Sequence, residues 1–254
     1  SAIVNGKRKF FGRFPITVNG GGAGLVEDLT RTAAKKGIEI FYETRAISLI
    51  YDGERVLGVR AKRQGKPVEF RARAVVLACG GFPHDVARRK AMFPHAGDGT
   101  AHFSPGPAGN TGDGLRLAET AGGRIEDTLP NAAAWVPVSI TERKDGSKGV
   151  MPHFIDRAKP GVIAVMRDGR RFANEGNSYH DFVQAMVKAA KPGEEITAFL
   201  LCDHRALRRY GLGCVPPFPM SLRHHLSTGY LKRGTTLAEL ADRTGVDRQG
   251  LEAT

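Results

Sequence analysis

The chain has 254 residues, with 38 Lys+Arg against 26 Asp+Glu for a formal charge of +12, and 41% apolar and 25% charged residues. That is globular composition, which excludes disordered and fibrous classes and leaves room for one or two domains. The longest apolar run, Ala74-Val75-Val76-Leu77-Ala78-Cys79, falls short of the ~20 residues that cross a bilayer, and the widely spaced Cys79, Cys202 and Cys214 argue against a disulfide framework or zinc site.

A basic and aromatic lead, Lys7-Arg8-Lys9-Phe10-Phe11, precedes Gly20-Gly21-Gly22-Ala23-Gly24, after which Leu25, Val26, Leu29, Thr32 and Ala33 recur at helical spacing as far as Gly37. This predicts a glycine turn followed by a helix. Ile38–Tyr42, Ala46–Tyr51 and Val56–Ala61 read as short strands, the last two joined as a hairpin at Asp52-Gly53. Val68–Ala72 alternates, and Ala74–Ala78 is apolar throughout before Cys79-Gly80-Gly81-Phe82, the pattern of a central strand covered on both faces.

Gly97 to Gly114 is a long Gly/Pro/Ser/Asn loop that ends in Asn110-Thr111-Gly112-Asp113-Gly114 and opens a helix through Ala121. Structured loops of this length usually carry a site. The texture changes near Pro130, so a domain boundary is placed at 129. Beyond it lie Trp135-Val136-Pro137-Val138, a turn at Asp145-Gly146-Ser147, a strand at Val162–Met166, a turn at Arg167–Arg170, strand and helix from Phe172 to Ala190, a strand at Ala198–Cys202, and a helix from Leu237 capped by Thr236 with Glu239 three residues on.

The glycine cluster invites a dinucleotide-fold reading, with Glu43 about 20 residues on as the ribose ligand. The spacing fails, because Gly20-x-Gly22 puts Leu25, and Gly22-x-Gly24 puts Glu27, at the third glycine position. A structural turn and a close backbone approach to a ligand both stay open. Asn110-Thr111-Gly112-Asp113-Gly114 is suited to a polyhydroxylated or anionic cofactor or, more simply, caps its helix. Tyr179-His180-Asp181 sits close to Arg170, Arg171 and Glu175. A phenol, with a pKa of ~10, acts as a base only where neighbouring charge lowers that value, and a packed aromatic is the simpler reading of Tyr179. His84, His95, His102 and His224-His225 lack i,i+4 metal spacing and are expected to face solvent, with no metal bound. Lys and Arg are scattered, without a run of five or six, which reads as a solvated surface with no nucleic-acid partner. The chain opens on Ser1-Ala2 and stops at Gly250–Thr254 within a helix-like stretch, with no secretory leader. It is therefore expected to be a fragment of a cytoplasmic protein.

Taken in order, Gly20–Leu25, Arg73–Phe82, Asn110–Gly114, Asp168-Gly169-Arg170-Arg171-Phe172-Ala173-Asn174-Glu175 and Thr235–Ala241 resemble the fumarate reductase/succinate dehydrogenase flavoprotein family across almost the whole chain. The resemblance implies α/β plus α+β architecture: residues 1–129 as part of a glutathione-reductase-like FAD-binding domain, and 130–254 as a C-terminally truncated α+β capping domain. It implies FAD as cofactor in the intact protein, with contacts from Gly21, Gly22, Ala46, Cys79, Gly80, Asn110, Thr111 and Asp113, and a fragment that holds FAD poorly and does not turn over. The Thr-Glu-x-x-Arg of fumarate reductases is replaced by Phe154-Ile155-Asp156-Arg157-Ala158-Lys159, and their His-Pro by Ala134-Trp135-Val136-Pro137. The cap arginine falls near Leu207, with Arg205 and Arg208 beside it.

Phe172–Tyr179 instead resembles the 3-ketosteroid Δ1-dehydrogenase pattern, whose tyrosine is the catalytic base. This implies a dehydrogenase of an apolar cyclic ketone, with Tyr179 removing a proton, hydride passing to flavin N5, and Trp135, Arg205 and Arg208 contacting substrate. The phenol and glycine N–H that polarise the ketone in that pattern fall outside this chain. The expected partners are a small-molecule substrate and an electron acceptor. Alternatives are a fumarate-reductase-like enzyme reducing an unsaturated acid, with Arg157, Lys159, Arg205 or Arg208 as anion clamp, and a non-catalytic binding module.

Overall fold

The first helix forms where the apolar spacing predicts it. The computed structural model describes residues 2–4, 7–9, 21–93, 95, 102–143 and 145–254, so Gly20 and the stretch 10–19 lie outside the described residues. Helix α1 spans Gly21–Lys35 and closes at Gly37, where Ile38 N–H donates to Ala33 O and Gly37 N–H to Ala34 O. Two compact units divide the chain, residues 1–75 and 76–254.

In the first unit, strands β1 (Ala2–Val4) and β2 (Lys7–Lys9) pair antiparallel. Strands β3 (Thr44–Tyr51), β4 (Val56–Arg63) and β5 (Lys66–Arg71) form an antiparallel sheet in sequence order. The expected Asp52-Gly53 turn is present, with Asp52 Oδ1 accepting from the N–H groups of Glu54 and Arg55. Leu49, Ile50 and Ala61 are the sheet's buried hydrophobic residues.

Three expected strands do not form among the described residues: from Phe172 the chain runs through turns, with no strand, into the helix at Tyr179, and two other segments stay unpaired. Ile38–Tyr42 is unpaired, with Ile38, Ile40 and Tyr42 exposed, and Ala74–Ala78 is unpaired, with Val76 88% exposed. A strand exists through its ladder, and no described strand lies alongside either segment.

The second unit holds α2 (Val86–Met92), α3 (Asp113–Glu119), the hairpin β6 (Val138–Glu142) and β7 (Lys148–Pro152), and a 3₁₀ turn at Asp156–Ala158. Strand β8 (Val162–Val165) pairs antiparallel with β9 (Phe199–Cys202), and α4 (Tyr179–Ala189) lies between them in sequence. After α5 (His204–Tyr210) and α6 (Arg223–Ser227) come α7 (Leu237–Thr244) and α8 (Arg248–Glu252). The predicted cap holds, since Thr236 Oγ1 accepts from Glu239 N–H. Val165 on β8 packs with Ala241, Val246 and Leu251 to cover the β8–β9 sheet. A second cluster gathers Phe82, Met92 and Val183 around buried Phe93 and Trp135. No described helix is long and apolar enough to cross a membrane.

Candidate functional site

The glycine-rich segments that the sequence singled out in the second unit meet in space. Gly112 N–H donates to Gly81 O, His84 N–H donates to Asn110 O, and the His84 ring is 3.0 Å from Gly106 O. Gly80 has a φ of +76°, and a Cβ there would lie 2.7 Å from Asn110 Oδ1. Only glycine allows both that backbone and that approach. A Cβ on Gly114 would lie 3.3 Å from the Cβ of Cys79. Cys79, Gly80, Asn110, Thr111 and Asp113 are thereby assembled at the start of α3, where Arg116 is paired with Asp113. In the first unit, Gly21 and Gly22 open α1, and a Cβ on either would meet no described residue within 4 Å. Ala46 is half-buried on β3, paired with Ala61 beside a bulge.

Tyr179 is the first residue of α4, 37% exposed, with its ring edge-on to Phe154 at 5.2 Å. Three groups hold it in place. Ser178 caps the helix, accepting from Asp181 N–H and donating to Asp181 Oδ2. His180 Nδ1 accepts from the N–H of Trp135. Arg157, 2% exposed, donates to the carbonyls of Glu175 and Asn177, the loop that leads into Tyr179, and its guanidinium lies 5.0 Å over the Phe182 ring. Burial works against the Arg157 charge and lowers its pKa, and its Nε has no hydrogen-bond partner. Burial also opposes the Glu175 carboxylate, but its hydrogen bonds from Arg171 and from Ala164 N–H outweigh that and hold its pKa below the ordinary value.

The α4 face one and two turns beyond Tyr179, Phe182, Val183, Met186 and Val187, forms one wall of a cavity of about 1060 Å³. Its other walls come from residues 81–83, 93, 95, 102–105, 132–140 and 196–201 among others, mostly apolar. Trp135 lines it, 4% exposed, with its indole N–H donating to Asn131 Oδ1. Tyr179 is not among the lining residues but lies on the same helical face, one turn from Phe182 and Val183. Arg157 lines the cavity, whereas Arg205 and Arg208 are exposed on α5 and do not.

The histidines correct the sequence reading. Rather than facing solvent, His95 and His102 are partly buried against Trp135, at ring distances of 4.6 and 6.2 Å, and His84 and His224-His225 are half-buried. Flat rings recover packing energy against an indole that a hydrated position would forgo. Burial pushes the His102 pKa down to about 4, with the charges of His95, Arg89 and His84 adding to it, and burial lowers that of His95. Among the described residues no group of His, Cys, Asp or Glu is placed to hold a metal.

Sequence reasoning missed the polar end of the cavity, where Ser139, His153 and Tyr230 line the wall. His153 and Asp156 stand in a His-x-x-Asp spacing that could have been noticed. Tyr230 is 91 residues from Ser139, a pairing no local pattern encodes.

Residues 12–254 match the FAD binding domain family. The chain is 35% identical over 244 residues to 4-oxocyclohex-2-ene-1-carboxylate 5-dehydrogenase of Sinomonas cyclohexanicum, covering 95% of this chain and 41% of that protein. It is 30% identical over 248 residues to 3-oxosteroid 1-dehydrogenase of Mycobacterium tuberculosis (strain ATCC 25618 / H37Rv), covering 92% and 42%. The crystal structure of 3-ketosteroid delta1-dehydrogenase from Sterolibacterium denitrificans in complex with 1,4-androstadiene-3,17-dione superposes with a TM-score of 0.73 at 29% identity, over 89% of this chain and 40% of that one. The chain thus spans about two fifths of the length of these relatives.

Proposed function

The chain belongs to the FAD binding domain family, and from that premise we propose that the whole protein is a dehydrogenase that introduces a C=C bond next to the carbonyl of a cyclic ketone. The relatives named for cyclic-ketone and steroid dehydrogenation support this reaction class. The observation that carries it is the apolar cavity walled by the α4 face that begins at Tyr179.

The residues fit the cofactor. Gly21 and Gly22 place side-chain-free backbone at the head of a 15-residue helix, and Gly80, Asn110, Thr111 and Asp113 present small backbone and polar groups together at another helix start. With Ala46 and Cys79, these are the residues that would hold FAD, which when bound supplies the acceptor for the hydride. Residues 1–129 serve as part of the FAD-binding domain and 130–254 as the cap. The cavity takes its walls from both sides of residue 129, as a substrate chamber beneath a cap requires.

Tyr179 takes the proton from the carbon next to the carbonyl, where the carbonyl makes it acidic. Arg157 fixes the approach of the base by holding the carbonyls of Glu175 and Asn177. Trp135 and the α4 face exclude water from the ring of the substrate. A carboxylate-clamp role for Arg205 and Arg208 gains no support from their exposed positions. Tyr179→Phe in the full-length flavoprotein should lower turnover of a cyclic ketone by roughly 10²–10⁴ while the flavin spectrum is unchanged. Near-normal turnover would remove Tyr179 from the mechanism.

A further inference from the structure

Four side chains that the mechanism above does not use are joined in one unbroken chain. Asp156 Oδ2 is 2.6 Å from His153 Nδ1, His153 Nε2 is 2.8 Å from Ser139 Oγ, and Ser139 Oγ is 2.9 Å from Tyr230 Oη. Backbone groups pin both ends: Gly213 N–H donates to Asp156 Oδ2 and Cys214 N–H donates to Tyr230 Oη, each at 3.0 Å. His153 is 6% exposed, while Asp156 retains some contact with solvent. The chain therefore runs from a carboxylate that water can reach to the cavity wall formed by Ser139, His153 and Tyr230. Gly213 completes the fit, since its φ is +57° and a Cβ there would lie 2.1 Å from Tyr230 Oη and 3.0 Å from His153 Cε1.

Counting protons fixes what the chain can do. A carboxylate only accepts, so His153 Nδ1 carries a proton. With the imidazole neutral, Ser139 O–H donates to Nε2 and Tyr230 O–H donates to Ser139 Oγ, leaving nothing for the cavity. With the imidazole protonated, Nε2–H donates to Ser139, Ser139 O–H turns to Tyr230 Oη, and the Tyr230 O–H is released to another acceptor. One proton gained at His153 becomes one donor at the wall. A donor available only when the chain holds a positive charge suits an anionic oxygen. Among the described lining residues, Arg157 and Lys232 stand against one carboxylate, Glu195.

We infer that the Asp156–His153–Ser139–Tyr230 chain is a proton relay that presents the Tyr230 hydroxyl to a carboxylate on the cyclic ketone. The inference rests on the cyclic-ketone reading and narrows its substrate to a ring oxo acid. Burial raises the Tyr230 pKa, keeping it a donor, and burial acts against the Asp156 charge less than its hydrogen bonds from His153 and Gly213 favour it, so Asp156 stays a carboxylate. The other ionisable groups about the chain are Arg157, next to Asp156; Cys214; His225, whose ring is 5.8 Å from that of Tyr230, with His224 beside it; and Lys232 and Glu195 on the wall.

The test is an anaerobic titration of the full-length flavoprotein, followed by flavin bleaching, with 4-oxocyclohexanecarboxylate and with cyclohexanone. Tyr230→Phe should raise the apparent Kd of the carboxylate about 10- to 100-fold and that of cyclohexanone no more than about 2-fold. In the wild type the carboxylate should bind more weakly as pH rises. Ser139→Ala, which cuts the chain in the middle, should abolish that dependence, and it serves as the test if Tyr230→Phe loses its flavin. Equal effects on both ligands, or none on either, overturn the relay. If both ligands bleach the wild type and neither variant discriminates between them, the relay alone falls. If neither ligand bleaches the wild type, the cyclic-ketone reading falls and the relay with it.

Discussion

The two ends of the cavity use buried histidine in opposite ways. At the aromatic end, His95 and His102 lie against Trp135 and Phe93 with no carboxylate partner among the described residues, and burial makes protonation costly. At the polar end, His153 is more deeply enclosed but is joined to the Asp156 carboxylate, so that both of its ring nitrogens are engaged. The difference teaches that what surrounds a buried imidazole, more than its depth, decides whether it is a packing ring or a proton carrier.

The largest expected effect breaks the aromatic end. Trp135→Ala removes the indole that Phe93, His95 and His102 pack on, and should cost about 3–5 kcal/mol in urea unfolding. In the same variant the His102 imidazole, followed by NMR titration, should move back up toward its ordinary value. A His102 that stays near 4 would show that its surroundings other than Trp135 set it.

Acid unfolding separates the two ends by pH. Above 6.5 both the folded and unfolded chain hold His102 neutral; below 6.5 the unfolded chain binds a proton that the folded one refuses, until about pH 4. Stability should therefore fall by about 2 kcal/mol between those values, less than full linkage because the ring keeps some contact with water. The Asp156 pKa is lowered from 3.8, so its contribution is intact above that value and is lost only as pH falls further, through the folded-state pKa. His102→Phe should shrink the first phase, to which His95 and His225 also contribute through their burial, and leave the second. Loss of both phases would mean that the two ends unfold as one electrostatic unit.

The smallest effect is a control at a residue that does not line the cavity. Thr236→Ala removes the cap of α7 and should cost about 1 kcal/mol by urea unfolding, with the pH profile unchanged in shape.

Much of the local structure was legible because local chemistry dictates it. Asp52 in its turn, Thr236 at its cap and the periodic apolar residues of α1 need no distant partner. Ala74–Ala78 misled because apolarity on both faces specifies burial but not the neighbour that provides it. For the candidate site, motif order and family resemblance are what propose Gly80, Asn110 and Tyr179. Ser139, His153 and Tyr230 were not, since they come from a hairpin, the segment after it and a loop following α6, and only the folded chain brings them together.

Asp156 and Arg157 are neighbours on one 3₁₀ turn, yet they serve opposite tasks. The first anchors the relay, and the second grips the carbonyls leading into Tyr179. A single peptide link thus yokes the two proton-handling arms, like two jaws on one pivot. Their spacing is set by covalent geometry at that turn, so hinge motion elsewhere in the protein can carry them as a pair without changing the reach between them.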